Sequence, residues 1–176
     1  MVIGRSLSLL VVSLVFGASA GEAWAGEADC KAVHDAIMKL TRTPVRAVVS
    51  TESFDAGGKV GVGELLRTQS TSYTKVNGQW IARPYDRKNE ADGILQAMRN
   101  GQQTCTRLRS EPVDGQPADL YEHRNMNGQA GVVSQVWISP SLGLPLLSHS
   151  ETLGAGGAVK LRQRARFDYS HVRGPV

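Results

Sequence analysis

The sequence predicts an α+β fold that is built on a large antiparallel sheet. Between residues 45 and 170, β-branched and apolar segments follow one another at similar spacing, and turn sequences separate them, as is typical of antiparallel strands. Two segments with helical spacing interrupt this run of strands and do not alternate with them, which argues against a parallel βαβ fold. We therefore expect one antiparallel sheet that is covered by two or more helices.

Two helices are predicted from apolar residues that recur every three or four positions. The first extends over about 29–40, and the second over about 88–100. Asp86 or Asn89 can cap the start of the second helix, because a short polar side chain there accepts the free backbone N–H groups. Gly101 follows its last turn, where a residue in the left-handed conformation commonly ends a helix.

The strands are read from runs of β-branched, aromatic and apolar residues between turns. Asn77–Gly78 is the sequence typical of a type I′ hairpin turn, so the segments on either side of it are expected to pair. The predicted strands cover 45–53, one or two strands within 60–74, the hairpin arms 73–76 and 79–81, and then 105–110, 118–126, 130–139, 144–153 and 159–170.

The predicted strand 130–139 is apolar on both sides. Val132, Val136 and Ile138 share one side, and Val133 and Trp137 share the other. A strand with one face in water alternates apolar and polar residues, so each face of this strand needs a cover. Two amphipathic helices can cover one face. The cover of the other face is left undecided between sheet curvature, a bound apolar ligand, a partner and a closed core.

The predicted strand 159–170 is basic on one side. Lys160, Arg162, Arg164 and Arg166 share that side, which therefore faces solvent. One interpretation is that the charges protect a sheet edge from pairing with another chain. The other is that they attract an anionic membrane surface or an acidic protein.

The first 25 residues are typical of a secretory signal. Arg5 supplies the positive start, 7–16 form a short apolar core, and small residues precede a cleavage point near Ala25. The apolar run is shorter than the roughly 20 residues that span a bilayer, although a retained anchor is an alternative. We expect a single domain over 26–176, located in the periplasm. Its formal charge of +4 is interspersed and gives no argument for nucleic-acid binding.

The chain has two cysteines, Cys30 and Cys105. In an oxidising compartment an isolated pair most simply forms a disulfide. A metal site needs more ligands than this pair offers locally, and the close spacing of a catalytic dithiol is missing. The four histidines are scattered, and a pair made of His123 and His149 lacks an evident third ligand, so we expect no metal site.

Three stretches resemble the periplasmic lipoprotein-carrier (LolA/LolB-like) superfamily. They are the hairpin 73–80, the strand–turn–strand segment 135–145 and the aromatic C-terminal segment 166–172, and Trp137–Pro145 is the most specific of them. In the order and spacing of the predicted helices and strands, the resemblance extends over most of the mature chain. It implies an incomplete antiparallel barrel with helices as a lid and a cavity for acyl chains. The carrier also has an arginine that locks its lid, to which we match no position here.

No catalytic fingerprint is present, so we expect neither an enzyme nor a cofactor. The predicted function is to hold a lipid or an acylated protein in the half-barrel cavity, with Trp80, Val133, Trp137 and Leu144 as its lining. The alternative is an envelope protein-interaction or stress-sensing module with a closed core and no ligand.

Overall fold

The computed structural model describes residues 27–175, so the predicted signal sequence lies outside the described residues. The helices are α1 (Glu27–Leu40) and α2 (Arg87–Arg99). The strands are β1 (Val45–Ser53), β2 (Lys59–Arg67), β3 (Thr71–Val76), β4 (Gln79–Pro84), β5 (Gln102–Val113), β6 (Gln116–Asn127), β7 (Ala130–Ser139), β8 (Leu144–Leu153) and β9 (Val159–Asp168). No helix in this part of the chain is both long and apolar enough to cross a membrane.

All nine strands form one antiparallel sheet in the order β4-β3-β2-β1-β9-β8-β7-β6-β5. The first strand of the chain pairs with the last along eight residues, from Arg46 opposite Asp168 to Ser53 opposite Leu161. The predicted α+β class with an open, curved antiparallel sheet is confirmed. The basic strand β9 lies fifth of nine, in the middle of the sheet, so its interpretation as edge protection is wrong.

One face of the sheet, here called the helix face, is covered by α1. Val33 and Ala36 of α1 are buried against Tyr121 of β6 and against Val136 and Ile138 of β7. A fully buried side chain of the size of Val33, Val136 or Ile138 contributes about 1.5–3 kcal/mol. The predicted disulfide between Cys30 and Cys105 is confirmed and joins the first turn of α1 to β5.

The opposite face, here called the outer face, is covered by the end of the β5–β6 hairpin. Val113 and Ala118 from that end pack against Trp137 and Leu146, together with Leu120. The strand β7 is therefore apolar on both sides because α1 covers one side and the folded-over hairpin covers the other.

The sheet curves toward the helices. Arg67 of β2 contacts Glu90 of α2, and Asn125 of β6 donates to the carbonyl of Ala97, also in α2. Five strand spacings separate β2 from β6, about 24 Å on a flat sheet. Strand pairing through β7, β8 and β9 also places Asn125 in the same row of the sheet as Ser53, the last residue of β1. Arg67, in contrast, pairs with Val45, the first residue of β1. Glu90 and Ala97 are only about 10 Å apart along the helix, so the helix face is concave.

The local signals explain where several elements begin and end. Asn77 and Gly78 both have positive φ, at 49° and 82°, as the type I′ turn requires. Asp86 caps α2 by accepting the N–H groups of Lys88 and Asn89. Gly101 does not adopt the left-handed conformation expected of it; a Cβ there would lie 1.7 Å from Oδ1 of Asn125, so a larger residue would displace the Asn125 side chain.

Candidate binding site

The part of the concave helix face beneath α2 carries both apolar and polar side chains. Pairing places Val49 of β1 beside Ala165 of β9, and Ala165 beside Ser148 of β8. These residues are only half-buried, as are Leu65 and Phe167 in the neighbouring rows. The part of the concave face that α1 does not cover is therefore incompletely sealed.

The second helix crosses this face without packing tightly onto it. Its apolar residues Ile94, Leu95 and Met98 share one side of the helix but are only half-buried, and none of the helix residues is buried. An amphipathic helix of a closed domain normally buries its apolar stripe in the core. The apolar side of α2 therefore has room for further contacts.

A groove of about 410 Å³ lies between the two helices. Its apolar surface comes from Met38 of α1 and from Ala91 and Leu95 of α2, and cationic side chains stand around it. We call it the inter-helix groove; its lining residues are Met38, Arg42, Arg87, Lys88, Ala91, Asp92 and Leu95.

A buried arginine ties both helices to β2. The Arg67 side chain is 7% exposed, and its Nη1 donates to Oε1 of Glu90 at 2.9 Å. Its Nη2 donates to the carbonyl of Leu40, the last residue of α1, at 2.5 Å. The guanidinium also lies 4.8 Å from the ring centre of Tyr85, a cation–π contact. We call Leu40, Arg67, Tyr85 and Glu90 the Arg67 cluster.

Tyr85 completes the attachment of α1. Its hydroxyl donates to the carbonyl of Thr41 at 2.9 Å. Burial, followed by the neighbouring Glu90 carboxylate, raises the pKa of Tyr85 to about 12, so the hydroxyl keeps its proton. Sequence reasoning missed the Arg67 cluster because its members come from four segments, and only the buried position of an arginine on β2 identifies it.

The four residues predicted to line a cavity lie at three different places in the structure. Val133 and Trp137 share the outer side of β7, away from the helices. Trp137 is buried, and its indole N–H donates to Oε1 of Glu111 at 2.6 Å. Trp80 lies on β4, near the opposite end of the sheet, with the Lys75 ammonium 5.6 Å from its ring centre. Leu144 is buried where β8 pairs with Ser139.

An outer groove of about 310 Å³ runs over β7, β8 and β9. Arg162 crosses it and pairs with Glu52 at 3.0 Å and Glu151 at 2.9 Å. Burial, and then the charge of Arg164, lower the pKa of His149, which also lines this groove. The lining residues are Glu122, Val133, Ser134, Gln135, His149, Ser150, Glu151, Arg162 and Arg164.

Acidic residues neutralise most of the basic strand. Besides Arg162, Lys160 pairs with Asp55 at 2.7 Å and Arg166 pairs with Asp114 at 2.8 Å. Among residues 27–175, Arg164 has no carboxylate within ion-pair distance. The predicted attraction of this strand for an anionic surface or an acidic protein stays a prediction.

Comparison with known proteins finds likeness in structure only. No protein-family model matches the chain, and no curated protein matches it. Among solved structures, MucB in the Pseudomonas aeruginosa MucA/MucB complex shares 14% identity at a TM-score of 0.54, over 84% of this chain and 59% of that one. A second structure, MucB in complex with MucA(peri), gives 14% identity and a TM-score of 0.51, over 84% and 57%. The chain thus spans about three fifths of the MucB chains.

Two further structures match at lower TM-scores. LprF from Mycobacterium bovis is 13% identical, with a TM-score of 0.45 over 86% of this chain and 98% of its own. A LolA superfamily protein from Nitrosomonas europaea is 8% identical, with a TM-score of 0.33 over 80% and 91%. Identities this low concern the fold alone. A LolA superfamily protein is thus among the solved structures that this chain matches, which accords with the predicted resemblance to the LolA/LolB-like superfamily.

Proposed function

We propose that this protein is an exported, non-enzymatic binding protein of the periplasm that holds an acylated ligand against the apolar side of α2, in the inter-helix groove. The observation that carries the proposal is the apolar side of α2. Ile94, Leu95 and Met98 remain half-exposed although the helix spans a curved sheet. A bound alkyl chain supplies the apolar contacts that the chain itself leaves unmade.

The size and lining of the inter-helix groove suit an alkyl chain. Its volume of about 410 Å³ falls within the range of about 300–1,000 Å³ typical of ligand pockets. Each CH₂ that moves from water into contact with Met38, Ala91 and Leu95 contributes about 0.8 kcal/mol. The gain therefore grows with the length of the alkyl chain, and no covalent chemistry is needed.

The charges around the same groove favour an anionic head group. Arg42 and Arg87 are exposed at its border, and Lys88 stands beside them in an exposed pair with Asp92. A carboxylate or phosphate at the end of the alkyl chain gains charge-assisted hydrogen bonds from such cations. The proposed ligand class is thus an acyl chain with an anionic head.

The attachment of α2 allows the helix to act as a lid. The Arg67 cluster holds its start, and Asn125 and Gln103 donate to the carbonyls of Ala97 and Met98 near its end. Because polar contacts at the two ends hold the helix and little apolar surface is buried along it, local opening costs less than unfolding of the sheet. The ligand enters when these end contacts open.

The test is uptake of a fluorescent fatty acid by the mature protein and by two matched variants of α2. Leu95→Asp places a carboxylate in the inter-helix groove, and Gln96→Asp places the same charge on an exposed position next to it. We expect Leu95→Asp to weaken uptake at least tenfold and Gln96→Asp to leave it nearly unchanged. Equal uptake by both variants and the wild type would contradict ligand binding in the inter-helix groove.

A second candidate function, partner binding, is favoured by an open edge of the sheet. β2 pairs with β1 along its whole length, but β3 pairs only with Leu65–Arg67. The segment Lys59–Glu64 therefore presents one edge without a neighbouring strand among the described residues. Val60 and Val62 are 63% and 72% exposed there. An extended segment of a partner protein can add to such an edge as a further strand.

The solved structure of MucB in complex with MucA(peri) supports considering a protein partner for this fold. A photo-crosslinking residue in place of Val62 tests the edge in cells, with the same residue in place of the exposed Gln96 as the control. A discrete adduct at Val62 alone supports the interaction function. Adducts at neither position, together with fatty-acid uptake, support ligand binding alone.

A further inference from the structure

The disulfide lies beside two histidines that the sequence keeps far apart. Cys30 and His34 are one turn apart on α1, and Cys105 of β5 is the cross-strand partner of His123 on β6. Ligand atoms of Cys30, His34 and Cys105 all lie within 4.8 Å of one another. The His34 and His123 rings are 6.1 Å apart between their centres. The fold thus brings both sulfurs close to the His34 imidazole, and places the His123 imidazole beside His34 and on the strand next to Cys105.

The glutamine next to them fixes which nitrogen of each ring carries the proton. Gln103 donates its Nε2 to the carbonyl of Met98, so its Oε1 faces the histidines as an acceptor. The Nε2 atoms of His34 and His123 lie 2.7 Å and 3.2 Å from that oxygen and must therefore donate to it. In the neutral rings the lone pair is then on Nδ1. A metal-binding histidine typically has this arrangement, with one nitrogen free for the metal and the other N–H bonded to a polar group.

We propose that Cys30, His34, Cys105 and His123 bind one Zn²⁺ once a dithiol has reduced the disulfide. Two thiolates and two imidazoles are a complete tetrahedral ligand set for zinc. Donors at about 2.0–2.3 Å from zinc lie roughly 3.3–3.8 Å from one another in a tetrahedron. The spread of 4.8 Å among three of the donors is therefore within about 1 Å of that required.

The reduction step balances with the dithiol as the only reductant. One thiolate of the dithiol attacks the sulfur of Cys30, which is half-buried, while Cys105 is 1% exposed. The sulfur–sulfur bond breaks, and the electron pair leaves on Cys105. The second thiol of the reagent then displaces Cys30 and closes the reagent's own disulfide. Zn²⁺ binds the two protein thiolates, and the two thiol protons go to solvent.

The consequence is that reduction exchanges one attachment of α1 for another. In the oxidised chain the disulfide holds the first turn of α1 on β5. In the reduced chain the metal spans the same two elements and adds β6 through His123. The first turn of α1 thereby stays attached to the sheet in either redox state.

Zinc binding to the mature protein tests this proposal directly. The protein is reduced with dithiothreitol, desalted without oxygen and titrated with Zn²⁺ against a chromophoric chelator. We expect one tight site per reduced chain and none in the oxidised chain. Titration with Co²⁺ should give the intense visible bands of tetrahedral coordination and a thiolate charge-transfer band.

Matched histidine variants identify the ligands. His34→Ala with His123→Ala should weaken zinc binding at least hundredfold, whereas His149→Ala with His171→Ala should leave it unchanged. Unfolding of the oxidised variants, in which the disulfide is intact, shows whether each pair folds. The proposal is overturned if reduced wild-type protein binds zinc no more tightly than oxidised protein. A wild-type cobalt spectrum without tetrahedral thiolate bands overturns it independently of any variant.

Discussion

Nη1 of Arg166 on β9 lies 2.8 Å from Oδ2 of Asp114, in the turn that joins β5 to β6. Three strands, β6, β7 and β8, separate β9 from β5 in the sheet. The ion pair therefore requires the end of the β5–β6 hairpin to fold over the outer face. That fold encloses Trp137 between the hairpin and the sheet, with its indole N–H bonded to Glu111.

Replacing the Glu111 carboxylate, which belongs to this hairpin, should make the free energy of unfolding less dependent on pH. Hydrogen bonds from Arg109, and then from Trp137, hold the pKa of Glu111 below its usual value of 4.5. A lowered folded-state pKa means that the ionised carboxylate stabilises the fold above about pH 4.5, and that this contribution is lost as pH falls through the folded-state pKa. Glu111→Gln should thus be less stable than wild type at pH 7, and the difference should shrink by pH 3.

Urea unfolding of both proteins at pH 7, 4.5 and 3 measures this difference. A stability difference between wild type and Glu111→Gln that stays constant over this range, or that grows toward pH 3, would contradict the assigned role of the carboxylate. In a Trp80→Phe background, the fluorescence of Trp137 provides a local signal, because Glu111 is the hydrogen-bond partner of its indole.

The Arg67 cluster should respond strongly to loss of its carboxylate. Glu90→Ala leaves the buried Arg67 without its charged partner, in a position where Nε already has no hydrogen bond. Removing one partner of a fully buried pair costs about 3–5 kcal/mol, and because Glu90 is 38% exposed we expect about 2 kcal/mol.

Asp92→Ala is the matched control on the same helix. Asp92 pairs with Lys88, and both side chains are more than half exposed, at 57% and 86%. Such pairs contribute about 0–1 kcal/mol, so this variant should remain close to wild type. Chemical denaturation measures both values, and equal losses in the two variants would refute a special role for the Arg67 cluster.

Two arginines of β9 should differ sharply when their charge is reversed. Arg162→Glu brings a third carboxylate next to Glu52 and Glu151, so it should lower the free energy of unfolding clearly. Arg164→Glu breaks no ion pair among the described residues and should fold with nearly wild-type stability. A partner that is lost from Arg164→Glu while fatty-acid uptake persists would favour the interaction module; loss of uptake in this variant would contradict binding on the concave face.

The cations of the inter-helix groove should discriminate between head groups. Arg42→Glu with Arg87→Glu should weaken uptake of a long-chain fatty acid at least tenfold, because the carboxylate then meets two like charges. Uptake of the long-chain alcohol of equal length should change little, since its burial depends on Met38, Ala91 and Leu95. Competition with the fluorescent probe measures both, and an equal loss for acid and alcohol would contradict the proposed head-group contact.

Local sequence signals predicted the elements well. The bounds of β1, β7 and β8 agree with the structure because each strand ends at a strong turn or proline signal, such as Pro44 or the Pro140–Gly143 turn. The strand after Cys105 is longer than predicted, reaching Val113, because the sheet pairs through Pro112 to the hairpin end. The β-propensity of the residues alone does not predict pairing that depends on the tertiary structure.

The arrangement of the strands and the site could not be predicted in the same way. The pairing of β1 with β9 joins segments that are more than 100 residues apart, so no local pattern distinguishes a central basic strand from an edge strand. The sequence shows that β7 is apolar on both sides, but no local pattern indicates that the β5–β6 hairpin covers Trp137. His34 and His123 likewise become neighbours of the disulfide only through the packing of α1 on the sheet.

Native mass spectrometry of the mature protein, purified from the periplasm without detergent, tests whether the chain binds an acyl lipid. We expect a population that is heavier than the bare chain by the mass of an acyl lipid, which mild organic extraction removes and which Leu95→Asp lacks. A single species at the mass of the disulfide-bonded chain, unchanged after incubation with fatty acid or phospholipid, would contradict it.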